Sequence, residues 1–123
     1  MNELDTRALF TQYVHIVNQV LGSNRERPIF RPIIEGAETL LADRRLGIGV
    51  YDDDPSSPHH WFTASVEGCT FQILEHGKED VDLTFRVPRE HLEEVVEDRS
   101  EYLARPYKLD LDWLTSRLET LAS

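Results

Sequence analysis

The stretch that decides the fold runs from Trp61 to Val87: residues 61–75 read WFTASVEGCTFQILE, and residues 81–87 read VDLTFRV. Apolar and polar side chains alternate there with period two, and turn-forming residues at Glu67-Gly68 and His76-Gly77 separate the runs. This alternation predicts three strands of an antiparallel sheet with one buried face and one more polar face. The side chains predicted to be buried are Phe62, Ala64, Val66, Cys69, Phe71, Ile73, Val81, Leu83, Phe85 and Val87.

The neighbouring segments extend this sheet on the N-terminal side and again near the C-terminus. Residues 45–51 alternate in the same way and predict the first strand, and a polar, proline-containing loop over 52–60 connects it to Trp61. Lys108–Leu111 alternates more briefly and predicts a short fifth strand. We therefore expect four to five strands.

Four segments carry the spacing of apolar residues that is typical of amphipathic helices. The first is Asp5–Leu21, which ends at Gly22, and the second runs from Pro32 to about Ala42. A third helix opens at Pro88, and the last begins at Asp112 with Leu114, Leu118 and Leu121 on one stripe. The predicted class is α+β: a mostly antiparallel sheet, built as a meander with a helical crossover, and covered by helices on one face.

Length and charge set limits on the organisation and on the partners. We predict one domain over residues 1–123, with an N-terminal helix and linker over 1–27 and the core over 28–123. The net charge is −10, from 13 basic and 23 acidic side chains, which disfavours nucleic acids and anionic membrane surfaces as partners. The sequence has neither a long apolar run nor an N-terminal signal peptide, so we expect a cytoplasmic protein without an integral membrane segment.

Few residues suggest chemistry. The single cysteine, Cys69, lies in a predicted strand and is interpreted as a small buried hydrophobe. The loop over 52–60 offers carboxylate and imidazole groups, but adjacent His59 and His60 do not converge easily on one ion. We therefore expect no metal and no cofactor. His76 and His91 stand in no catalytic motif, so we predict no catalytic residues, and a small enzyme that uses either histidine is the weakest alternative.

The order of these elements resembles the sterol carrier protein 2 family of lipid-binding domains over Phe30–Leu121. The chain departs from the family at the predicted fifth strand, which lies between Arg105-Pro106 and Asp112 where the family has glycines. The positions that carry the resemblance are Phe30, Ile33 and Leu40, Gly47–Val50, Trp61, Val66–Gly68, Asp82 with Thr84, and Pro88–Val96.

The resemblance implies a non-enzymatic carrier whose apolar tunnel, between the sheet and the last helix, holds a fatty acyl chain, a sterol-like lipid or an isoprenoid. Under the alternative interpretation the same residues fill a core, and the chain is a ligand-free interaction module or a homodimer formed through the sheet and first helix. Composition does not separate a tunnel from a core. The predicted lipid-binding residues are Phe62, Phe71, Ile73, Leu83, Phe85, Val96, Leu114 and Leu118.

Overall fold

The computed structural model describes residues 3–28, 30–67, 70–77 and 80–122. Its helices are α1 (Glu3–Ser23), α2 (Arg31–Leu41), α3 (Arg89–Glu97), α4 (Arg99–Ala104) and α5 (Asp112–Ala122). Its strands are β1 (Leu46–Tyr51), β2 (His60–Glu67), β3 (Thr70–His76) and β4 (Leu83–Pro88), and a 3-10 turn spans Pro106–Lys108. The α+β class is confirmed. Gly68 and Cys69 lie outside the described residues, as does the side chain of Leu121.

The four strands form one mixed sheet in the order β3-β2-β1-β4. β2 pairs with β1 and β3 in antiparallel orientation, whereas β4 pairs with β1 in parallel orientation. A meander through all four strands is therefore the wrong topology, because β4 lies at the opposite edge of the sheet from β3. Asp82 fixes this arrangement: its N–H donates to the Arg45 carbonyl at 2.7 Å, and its carboxylate accepts the Arg45 N–H at 2.8 Å. These two bonds hold the start of β4 beside the start of β1.

Helices cover one face of the sheet, as the alternation predicts. The register places Ile48, Phe62 and Phe85 on this face, and all three are buried. They belong to an apolar cluster that also contains residues of α1, α2, α3 and α5. Burial of this cluster is the main stabilising contribution to the fold, at about 25 cal/mol per Å² of apolar surface.

The second face is less exposed than the alternation predicts, because loop segments pack on it. The Thr63 side chain is fully buried there, and its hydroxyl donates to the Gly77 carbonyl at 2.7 Å. Pro58 packs closely over Gly49, where an added Cβ would lie 2.9 Å from the proline ring. Gly49 is therefore required for close approach of the 52–59 loop to the sheet.

The predicted fifth strand, Lys108–Leu111, is not a strand. Pro106 opens a 3-10 turn in which Lys108 and Leu109 donate their N–H groups to the carbonyls of Arg105 and Pro106. Leu109 and Leu111 are nevertheless buried, so the alternation identified the inward side chains correctly. The predicted helical crossover to a fifth strand is accordingly absent from the described part of the chain. Among the same residues, no helix combines the length and apolarity that a membrane crossing demands.

Candidate functional site

The eight predicted lipid-binding residues lie in one apolar cluster between the sheet and the helices. The structure thus brings together side chains from β2, β3, β4, α3 and α5. Whether they bind a lipid depends on the space between them. Phe62, Phe71, Phe85, Leu114 and Leu118 are buried, and Ile73, Leu83 and Val96 are partly buried against them.

This cluster is closely packed beneath α1. The ring of Phe10, in α1, stacks on Phe62 with centroids 4.2 Å apart. The indole of Trp113 lies 6.4 Å from the Phe71 ring and 6.1 Å from the Phe85 ring. A void between α1 and the sheet, lined in part by Val17 and Ile48, measures about 10 Å³, at or below what one water molecule needs. An acyl chain therefore has no room there while α1 stays in place.

A buried polar contact joins α1 to α3 and α5 at the border of this cluster. The hydroxyl of Tyr13 lies 2.9 Å from Trp113 Nε1 and 3.0 Å from His91 Nε2. Burial raises the pKa of Tyr13 well above its ordinary value, so its phenol is neutral. This trio was not predicted from the sequence. A tyrosine within the apolar stripe of α1 was the available signal, since a buried tyrosine hydroxyl usually finds a hydrogen-bond partner.

Both histidines that were considered as general bases have one ring nitrogen in contact with a residue of α1. Burial lowers the pKa of His91, against the opposing effect of the Asp110 and Glu94 carboxylates, and its Nε2 faces Tyr13. His76 Nδ1 lies 2.6 Å from Arg7 Nη2 and accepts from that guanidinium.

The two edges of the sheet each meet one polar side chain from a helix. At the β3 edge, Asn18 bonds to both backbone groups of Phe71. At the β4 edge, Arg117 Nε donates to the Thr84 carbonyl at 3.3 Å. Unpaired strand edges favour association with other chains, and such contacts reduce that tendency.

A groove of about 670 Å³ lies beside the end of β4, between α3 and α5, and we call it the β4 groove. Two basic residues, Arg86 and Arg117, and four acidic residues line it. Trp113 and Tyr51 supply partly buried aromatic surface. The acidic residues that line the β4 groove are Glu90, Glu94, Asp110 and Asp112.

The loop over 52–60 forms internal contacts between its side chains. The hydroxyl and N–H of Ser56 both donate to Asp54 Oδ1, and these bonds hold the pKa of Asp54 below its ordinary value. His59 Nε2 lies 3.4 Å from Asp52 Oδ2. Within residues 3–28, 30–67, 70–77 and 80–122, no group of three or more potential ligands is placed to hold a metal ion.

Comparison with known proteins gives no match, whether with family models, with curated proteins or with solved structures. The geometry of the site itself therefore carries the functional argument. Two regions are relevant: the packed cluster beneath α1 and the β4 groove.

Proposed function

We propose that the chain is a non-enzymatic interaction module with a filled core, and that it binds an extended segment of a partner protein in the β4 groove. The observation that carries this proposal is the position of Arg86, an exposed residue of the edge strand β4 that lines the β4 groove. Addition of a strand to a sheet edge is a common mode of peptide recognition, in which backbone hydrogen bonds supply affinity.

The direction of the β4 backbone groups follows from two contacts. The Leu83 N–H points toward the Arg45 carbonyl that precedes β1, at 3.4 Å, whereas the Thr84 carbonyl points outward to Arg117. Because backbone groups alternate in direction along a strand, those of Arg86 also point outward, away from β1. Within the described part of the chain, neither a side chain nor a loop carbonyl takes the Arg86 N–H. A bound segment would supply the missing hydrogen bonds.

Charge indicates the chemistry of the partner. The four carboxylates of the β4 groove and the net charge of −10 favour a segment that carries lysine or arginine. Trp113 offers partly buried aromatic surface at the same site, and such residues commonly anchor protein interfaces. We therefore expect a basic, extended peptide segment as the ligand.

Selection from a library of short random peptides displayed on phage tests this proposal. We expect the selection to yield basic peptides. These peptides should bind about tenfold more weakly to Arg86→Pro than to Arg86→Ala, because only proline removes the backbone N–H at position 86. Both substitutions remove the contact of the Arg86 guanidinium with the Trp61 ring, so the pair is matched. Equal binding to the two variants, or a selection that yields no binder, would contradict the proposal.

Binding of a hydrophobic ligand is the second candidate. It is favoured by the convergence of all eight predicted residues in one apolar cluster. The ligand would be a fatty acyl chain, a sterol-like lipid or an isoprenoid. A ligand beneath α1 would have to displace that helix, because the void there is only about 10 Å³.

Native mass spectrometry after mild extraction, together with thermal unfolding in the presence of fatty acids, tests this second candidate. A carrier retains lipid and unfolds at higher temperature when the ligand is added. A protein that carries no lipid and gains no thermal stability would exclude the carrier function.

A further inference from the structure

We propose that His91 is a proton-sensitive latch, which holds α1 on the sheet while its imidazole is neutral and loosens α1 when the imidazole is protonated. The latch consists of Tyr13 in α1, His91 in α3 and Trp113 in α5. Because it concerns how α1 is held, it operates whether or not the β4 groove binds a peptide.

The hydrogen-bond directions in the latch follow from the chemistry of its three groups. An indole N–H only donates, so Trp113 Nε1 donates to the Tyr13 oxygen at 2.9 Å. The hydroxyl proton of Tyr13 is then directed to His91 Nε2, at 3.0 Å, which must carry no proton in order to accept it. The ring proton of neutral His91 therefore resides on Nδ1.

Protonation of His91 breaks this pattern. Nε2 becomes a donor, so two N–H groups then point at one hydroxyl whose own proton has lost its acceptor. The Tyr13 side chain is only 1% exposed, so water does not readily replace that acceptor. A buried polar group without a partner is destabilising. Protonation of His91 therefore weakens the contact that joins α1 to α3 and α5.

The surroundings of His91 set the conditions under which the latch opens. Burial disfavours the imidazolium, and the lowered pKa of His91 indicates that burial outweighs the nearby carboxylates. His91 is partly exposed and lines the β4 groove, so protons reach it from solvent. The charged groups that line this groove with it are Glu90, Glu94, Asp110 and Asp112 on the acidic side and Arg86 and Arg117 on the basic side.

Loosening of α1 has a specific consequence for the apolar face of the sheet. Phe10, Val14 and Val17 of α1 cover Ile48 and Ala64, around the small void described above. We therefore expect mild acid to weaken the protection of α1 and to expose this apolar surface, while the sheet remains folded. Hydrogen exchange, measured separately for α1 and β2 in one sample, detects such a change because the intrinsic pH effect is common to both segments.

The experiment compares the full chain with two variants at about pH 8 and about pH 5.5, on either side of the ordinary histidine pKa. In the unmodified protein, we expect the protection of α1 relative to β2 to fall about tenfold in acid. His91→Gln should remove this fall, because the glutamine oxygen can accept the Tyr13 proton and does not titrate. His15→Gln is the control, since His15 is an exposed histidine of α1, and this variant should behave like the unmodified protein.

Two results would overturn the latch. One is an unchanged ratio of α1 to β2 protection between the two pH values in the unmodified protein. The other is an equal fall in His91→Gln and in the unmodified protein. If His91→Gln does not fold, Tyr13→Phe replaces it: without the hydroxyl, the pH dependence of α1 protection should disappear, and its persistence would reject the latch.

Discussion

The side-chain amide of Asn18 makes both hydrogen bonds to Phe71 that a neighbouring strand would make. Its Nδ2 donates to the Phe71 carbonyl at 3.0 Å, and its Oδ1 accepts the Phe71 N–H at 2.8 Å. A residue of the first helix thus substitutes for a strand at the β3 edge. The contact also fixes α1 relative to the sheet, so edge protection and helix packing depend on one side chain.

Asn18→Ala should lower the free energy of unfolding by about 1–3 kcal/mol, because it leaves two backbone groups of Phe71 without their partners. Urea denaturation measures this loss. Gln19→Ala is the matched control, since Gln19 is exposed on the same helix, and it should change stability by less than about 0.5 kcal/mol. Equal effects of the two substitutions would show that the Asn18 bonds contribute nothing measurable.

Glycine-to-alanine substitutions at two sites should change stability in opposite directions. At Gly49, the new Cβ would lie 2.9 Å from Pro58 and 3.1 Å from the Trp61 ring, so the 52–59 loop must shift at a cost of about 1–3 kcal/mol. At Gly36, in α2, the nearest atom is 3.8 Å away, so alanine should stabilise the helix by about 0.5–1 kcal/mol. Thermal unfolding of both variants shows whether each substitution raises or lowers stability. A stabilising Gly49→Ala would contradict the packing described for the 52–59 loop.

Stability should depend on pH through His91. Its pKa is lowered in the folded chain, so the unfolded chain binds more protons at mildly acidic pH. The contribution of neutral His91 is complete above the ordinary histidine pKa of about 6.5 and is lost as the pH falls through the lower folded value. Urea denaturation at a series of pH values from about 8 downward should show this loss. In His91→Gln, the free energy of unfolding should change less with pH near pH 6. Profiles of equal slope for the two proteins would exclude His91 as the cause.

Glu101 should affect stability in a lower pH window. Hydrogen bonding to Lys108 and the nearby charges of Lys108 and Arg105 hold its pKa below the ordinary value. Its contribution is present above the ordinary glutamate pKa of about 4.3 and is lost as the pH falls further. Glu101→Gln should therefore reduce the slope of the free energy of unfolding against pH only below about pH 4.3. This window distinguishes the effect of Glu101 from that of His91. A change in slope near pH 6 in this variant would contradict that assignment.

Phe62→Ala should be the most destabilising of these substitutions. Phe62 is buried and stacks on Phe10, so its removal should cost about 3–5 kcal/mol and leave a cavity beneath α1. The control is Leu74→Ala, at a side chain that is 46% exposed, which should cost less than about 0.5 kcal/mol. Urea denaturation measures both, and a cost below 1 kcal/mol at Phe62 would contradict the filled core.

The alternation in the sequence determined which side chains share a face, and this part of the fold could be predicted. It placed Phe62 and Phe85 on the covered face, and it placed Leu109 inward even though the expected strand there is a turn. Alternation is the same for parallel and antiparallel pairing, so it did not reveal that β4 lies beside β1. That arrangement depends on Asp82 and Arg45, which are 37 residues apart.

The candidate site was harder to predict for the same reason. Tyr13 lies 78 residues from His91 and 100 residues from Trp113, and neither spacing is a local pattern. The β4 groove likewise depends on where α3 and α5 pack against the sheet edge. Local sequence can indicate that Tyr13 needs a partner, but only the packing of three helices determines which partner it has.

The side-chain contacts at Phe71 and Thr84 bear on how the sheet edges of two copies of the chain would meet. The β3 and β4 edges are different surfaces on opposite sides of one sheet, so a contact between the β3 edge of one copy and the β4 edge of the next would be head-to-tail. Contacts of that kind do not close by symmetry unless the rotation forms a ring, and otherwise they propagate into filaments. Asn18 covers the β3 edge at Phe71 and so disfavours such head-to-tail pairing, whereas Arg117 covers the β4 edge at Thr84 and leaves Arg86 for the proposed peptide.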